Sequence, residues 1–115
     1  MNSNAQRRAV ELEELDRRQL GALVMRLSLA CWQETTSCDR KDLARQSGLW
    51  NLYSDVGGHE RTQTLDKYLS EKTFPLRPRW NRIYATACYV LSNCRTSSEL
   101  CEQLRQSMDT LRRLN

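Results

Sequence analysis

The residue types that most often carry chemistry are sparse in this chain, and their spacing limits what they can do. Five cysteines (Cys31, Cys38, Cys88, Cys94, Cys101) and one histidine, His59, supply the thiols and the imidazole of 115 residues. A structural zinc site takes four such ligands, usually presented as closely spaced pairs. Here six, five and six residues separate Cys31 from Cys38, Cys88 from Cys94 and Cys94 from Cys101, and no knuckle forms at such intervals. An odd cysteine count in a chain long enough to build its own core argues against a disulfide framework and for reduced thiols. Cys31, Cys88 and Cys101 fall on or beside apolar faces, where a free cysteine packs as a small hydrophobe. His59 stands beside Gly57-Gly58 in polar surroundings, the setting of a solvent-facing loop histidine. A general base needs titratable partners converging in a cleft. No phosphate-cradling glycine loop or G-x-S-x-G elbow occurs. These residues point away from an enzyme, a metal and a cofactor.

The remaining chemistry is electrostatic. Residues 61–82, RTQTLDKYLSEKTFPLRPRWNR, hold six of the eighteen Lys and Arg residues but only two acids, Asp66 and Glu71. Outside them bases and acids balance at twelve each, so the whole net charge of +4 resides here. A local basic surplus beside a short capped amphipathic segment makes a docking surface for an anion, nucleic acid foremost. Arg61, Gln63, Thr64 and Lys67 are placed to face base edges, because Gln and Arg make bidentate contacts to adenine and guanine. Lys72, Arg77, Arg79 and Arg82 are placed to neutralise phosphates. Double-stranded DNA is the partner this implies. The bland account of the same charges is a solvated face of a helical bundle.

Helices must position these groups. Leu, Arg, Gln and Glu are abundant, prolines number two and glycines four, and β-branched residues never cluster, which favours helix over sheet. The expected fold is all-α, a compact bundle of about five to six helices containing a helix-turn-helix-like unit at about residues 39–92. Residues 1–8 read as a flexible tail and 9–115 as one helical domain. The spacing of Leu12, Leu15, Leu20, Leu23, Val24, Leu27 and Cys31 predicts a helix over about 9–34 with an acidic first turn (Glu11, Glu13, Glu14, Asp16). Asp39 caps a second helix that runs to about Gln46, with Gly48 as its left-handed stop. Residues 50–60 are the least legible: one helical turn at Leu52 and Tyr53, then a flexible loop over 55–60, with a small hairpin as an alternative that no alternation supports. Thr62 or Thr64 caps a third helix that buries Leu65, Tyr68 and Leu69. Pro75 and Pro78 impose an extended or turning segment. Pro78 then opens a helix over about 79–93 that buries Trp80, Ile83, Tyr84, Ala87 and Leu91. Thr96-x-x-Glu99 is a capping box for a last helix, with Leu100, Leu104, Ser107 or Met108, Leu111 and Leu114 along its stripe.

This pattern resembles the phage-repressor-like (Cro-type) helix-turn-helix regulators over about residues 41–92. The matching residues are Leu43-Ala44 with Gly48, then Leu65 and Leu69 where that family's recognition helix buries its apolar positions, then a proline and a helix, Pro78 to Leu91. The resemblance implies a DNA-reading role for Arg61, Gln63, Thr64 and Lys67. One departure stands out: WNLYSDVGGHE adds about ten residues to the short turn usual in such units.

Two readings therefore stay open. The first is a DNA-binding transcriptional regulator, or the DNA-binding domain of one. The second is a helical protein-interaction or dimerisation module without DNA binding, in which Leu100, Leu104, Met108 and Leu111 form a dimer seam; a homodimer would also suit a palindromic site. No apolar run approaches the length of a membrane span and the N-terminus lacks an apolar signal region, so the expected location is cytoplasmic.

Overall fold

A computed structural model describes residues 12, 15–94 and 98–114 of the chain. In chain order the elements are α1 (Arg17–Thr36), α2 (Arg40–Ser47), β1 (Tyr53–Ser54), β2 (Glu60–Arg61), α3 (Gln63–Lys67), α4 (Trp80–Asn93) and α5 (Glu99–Leu114). The fold is helical as expected, with one short antiparallel ribbon added, Tyr53 opposite Arg61 and Ser54 opposite Glu60.

The central helix starts later than its apolar spacing predicts. Asp16 interrupts the run: its Oδ1 accepts the Gln19 N–H at 2.8 Å, and Gln19 Oε1 accepts the Asp16 N–H at 2.9 Å, a reciprocal cap that sets the first turn. Asp16 is thus the cap, and the first turn of α1 holds no acid; Glu11, Glu13 and Glu14 lie outside the described residues. Nor does α1 bury a single stripe. Leu20, Ala22, Val24, Met25, Ser28, Cys31 and Trp32 are all buried, because α4 and α5 pack along the helix and α2 packs against it. Leu23 and Leu27, expected inside, are only half-buried. Ser37, in the left-handed region at φ 59°, ends α1 with its N–H on the Gln33 carbonyl.

The second helix forms as expected. Asp39 Oδ1 accepts the Asp42 N–H at 3.1 Å and Gly48, at φ 68°, returns its N–H to the Ala44 carbonyl. The bond from Asp42 is the chief cause holding the Asp39 carboxyl below its ordinary pKa. Leu43 and Ala44 are buried.

Pro78 lies one residue before the N-cap position of α4, Arg79, rather than in the first turn. The buried positions of α4 are Ile83, Thr86, Ala87 and Val90; Trp80, Tyr84 and Leu91 are half-buried at its margin. Thr86 is tolerated inside because its hydroxyl donates to the Arg82 carbonyl at 2.6 Å and accepts the Trp50 indole N–H at 2.9 Å. In α5 the Ser98 hydroxyl accepts the Cys101 N–H at 3.2 Å and so caps the helix; Thr96 lies outside the described residues. Leu104, Ser107, Met108 and Leu111 are buried and Leu100 is half-buried against the core. The stripe offered as a dimer seam therefore faces the chain's own interior, and only Leu114 stays exposed.

Cys31, Cys94 and Cys101 are buried together where α1, the end of α4 and the start of α5 meet. Burial, then the neighbouring Cys101 and Cys94, push the Cys31 thiol well above its ordinary pKa, so it stays protonated. Cys88 departs from the expectation: it is exposed on the outer side of α4. Among the described residues no group of three or more His, Cys, Asp or Glu could hold a metal ion, and no helix is long and apolar enough to cross a membrane.

Candidate nucleic-acid interface

The segment joining α2 to α3 decides whether those helices form one reading unit, and it is ordered rather than loose. Asp55 organises the tip. Its Oδ1 accepts the Gly57 and His59 N–H groups, each at 2.9 Å, and its Oδ2 accepts Arg61 Nε at 2.9 Å. Gly58, at φ 80°, supplies the left-handed turn. These donors, the His59 N–H first and the Arg61 guanidinium next, hold the Asp55 carboxyl below the usual range. Of the readings open for this stretch, the small hairpin is the one that forms, in place of the helical turn at Leu52 and Tyr53 and the flexible loop over 55–60.

Ion pairs then tie this hairpin and α3 to α2. Arg40 Nη1 reaches Asp66 Oδ1 at 2.8 Å across the inserted residues, and Arg45 bridges Asp42 at 3.0 Å and Glu60 at 2.7 Å. Exposed pairs of this kind add little stability each, about 1 kcal/mol or less, but together they fix orientation. Asp66 also accepts the Thr62 hydroxyl at 2.8 Å. Thr62 occupies the N-cap position of α3 without a side-chain cap bond. Below, Leu43 and Leu65 are both buried in the common core, so α2 and α3 share that core and are joined directly by the Arg40–Asp66 pair.

Gln63 and Lys67 are exposed on α3, and Thr64 is half-buried. The Thr64 hydroxyl lies 3.1 Å from the hydroxyl of Tyr53, a β1 residue that is 40% exposed. The Tyr53 hydroxyl is held below its ordinary pKa chiefly by the bond with Thr64, then by that with Asn51, with the charges of Lys67 and Arg79 adding to the effect. Thr64 therefore meets Tyr53 directly, whereas Lys67 and Arg79 act on it only through their charge. Sequence reasoning missed this tyrosine; the available signal was an exposed aromatic beside a candidate reading helix.

The other expected contacts divide. Arg61 is committed to Asp55 and braces the hairpin, so its guanidinium is not the open base-reading group expected. Lys72, Arg77 and Arg79 are exposed in and after the turn that leaves α3, and Arg82 is half-buried in the first turn of α4. Among the described residues, no acidic side chain lies within 4.0 Å of Lys67, Lys72, Arg77, Arg79 or Arg82. Arg40, Lys41, His59 and Gln63 border a shallow depression between the starts of α2 and α3 and the hairpin. The face thus carries hydrogen-bonding groups on α3, flanked by cations without counter-charges.

The arrangement defines a small helical domain whose two short helices are spaced by a hairpin, tied by an ion pair and present a basic face. No family model and no curated protein matches the chain. It is similar to the DNA-binding domain of the sensor histidine kinase ChiS from Vibrio cholerae, a crystal structure that superposes with a TM-score of 0.81 at 31% sequence identity. The match covers 85% of this chain and 91% of that one. The chain belongs to the family of that domain.

Proposed function

We propose that this chain is a DNA-binding regulator domain that docks duplex DNA through α3 and the cations around it. The observation that carries the reading is a face around α3 on which, among the described residues, Lys67, Lys72, Arg77, Arg79 and Arg82 have no acidic side chain within 4.0 Å, beside the Thr64–Tyr53 hydroxyl pair. Its relationship to the ChiS domain supports the same ligand. Gln63 and Thr64, at the start of α3, are the base-edge readers. Lys67, Lys72, Arg79 and Arg82 contact phosphates, the Tyr53 hydroxyl adds a neutral donor among them, and Arg61 acts indirectly through the hairpin. The likeness to Cro-type units is one of plan, two short helices in succession, with a hairpin in place of the tight turn. No catalytic role is assigned. The interaction-module alternative loses its surface, because Leu104, Met108 and Leu111 are buried.

Fluorescence anisotropy of a labelled random-sequence duplex, titrated with the chain at low salt, tests the reading. Saturable binding in the micromolar range or tighter is expected, as for non-specific binding strengthened by low ionic strength. No binding under those conditions would refute it.

A further inference from the structure

The loop between α3 and α4 is anchored at several points. Arg18 on α1 donates to three of its carbonyls, with Nη2 on Glu71 at 3.1 Å and Phe74 at 2.9 Å and Nη1 on Pro75 at 3.1 Å. Phe74 is buried, with its ring 5.3 Å from Tyr68 and 5.9 Å from Trp80. The Thr73 hydroxyl donates to the Lys67 carbonyl at 2.9 Å, and the Arg79 N–H donates to the Tyr68 hydroxyl at 3.0 Å. Between these anchors Pro75 and Pro78 restrict the backbone. At the crest Leu76 is 92% exposed, with exposed Arg77 beside it.

A lone exposed leucine on a mobile loop calls for no explanation. This one is held outward by anchors on both sides, next to arginines with no acidic partner. Val56, at the hairpin tip, is as exposed, but the nearby Arg61 is neutralised by Asp55.

We infer that residues 75–79 form a minor-groove probe: Leu76 wedges against a base step and Arg77 enters the groove that flanks the major-groove site of α3. This rests on the DNA reading above. The loop leaves directly from the C-terminal end of α3, so with α3 in a major groove it crosses the sugar-phosphate backbone towards the neighbouring minor groove. A narrow A·T minor groove concentrates negative potential that attracts arginine, and leucine is among the apolar wedges that partly unstack a minor-groove step. A phosphate contact alone would need the cation and leave the leucine without a role.

The test uses the full chain and three 20-base-pair duplexes composed of A·T, I·C or G·C pairs. Inosine lacks the guanine amino group, so I·C resembles A·T in the minor groove and G·C in the major groove. Anisotropy at low salt should show A·T and I·C bound alike and G·C weaker by about fivefold or more, the low end of what one specific base contact contributes. Arg77→Lys, which keeps the charge, should erase the preference, and Leu76→Ala should weaken A·T binding by about the same factor without altering the salt dependence. If I·C groups with G·C, or if both variants behave as the parent, the probe is refuted while the DNA reading stands. If the parent binds none of the duplexes, the DNA reading fails and the probe with it.

Discussion

The unpaired cations set a quantitative expectation. Lys67, Lys72, Arg79 and Arg82 have no acidic neighbour within 4.0 Å among the described residues, so each is free to replace a counterion on a phosphate. Each neutralised phosphate adds roughly −0.9 to the slope of log affinity against log salt, which gives about −3.6 if all four engage. Raising salt from 50 to 200 mM should then weaken binding by about 150-fold. The double variant Lys67→Ala/Arg79→Ala removes two contacts, so the slope should fall to about −1.8 and the loss over the same range to about 12-fold. Both side chains are exposed, and the anchoring bond of Arg79 comes from its backbone N–H, which alanine keeps. The fold should therefore survive, as circular dichroism would verify. Arg61→Ala is the internal control: Asp55 already neutralises that guanidinium, so its slope should stay near the parent's. Anisotropy at four salt concentrations reads all three slopes. A parent slope shallower than about −2, or a double variant with an unchanged slope, would refute the assignment of these cations to phosphates.

Other expectations follow from the supports of the face. A Cβ at Gly21 would lie 2.7 Å from Phe74 Cζ and 2.9 Å from Trp80 Cζ3, so Gly21→Ala should cost about 1–3 kcal/mol by overpacking, read as a lower urea midpoint; an unchanged midpoint would contradict the packing. Arg18→Gln strips three loop carbonyls of their donor and should cost about 1–2 kcal/mol. It should also weaken DNA binding while leaving the salt slope intact, whereas a shallower slope would make Arg18 a phosphate contact. Because the Asp55 carboxyl is held below its usual pKa, its contribution is complete above the unfolded carboxylate range and is lost as pH falls through the lower folded value. Asp55→Asn should therefore lower Tm at neutral pH and flatten the acid limb below about pH 4, and an unaltered limb measured by calorimetry would count against the hairpin tip. Native alkylation by iodoacetamide followed by peptide mass spectrometry should label exposed Cys88 first and leave Cys31, Cys94 and Cys101 untouched until denaturant is added; labelling of native Cys31 would refute its burial.

Local signals with a mechanism of their own were legible in the sequence. Asp39 with Gly48 bounds α2, Leu43 and Leu65 sit in the core, and the basic surplus of residues 61–82 falls on an exposed stretch around and after α3. What escaped depends on partners distant along the chain or on strands too short to show a period. A ribbon of two residues a side has no alternation to detect, and Asp55 appears as its organiser only once three donors are seen to converge on it. Arg61 looks like a free cation until Asp55 is placed beside it. The stripe of α5 fits an internal core and an external seam equally well, because spacing gives a face and not its occupant. Asp16 was hidden among the acids around it, since a cap is defined by backbone geometry that periodicity does not carry.

The arginines divide labour by what surrounds them. Those of α1 brace neighbouring segments: Arg17 lies 4.1 Å over the Trp80 ring, Arg18 binds carbonyls of the loop after α3, and Arg26 donates to the Leu69 carbonyl at 3.1 Å. A helix of five residues cannot satisfy its own last carbonyls, so α3 and its exit are supported by guanidinium groups from the central helix. Arg40, Arg45 and Arg61 meet carboxylates and lock α2, the hairpin and α3 together. Among the described residues Lys67, the cations that follow α3 and Lys41 on α2 are exposed or half-exposed with neither a carboxylate partner nor a bracing role. The surplus charge is therefore concentrated where the backbone is most heavily braced. This arrangement presents cations to an anionic helix at little further ordering cost, because the backbone that carries them is fixed before the ligand arrives.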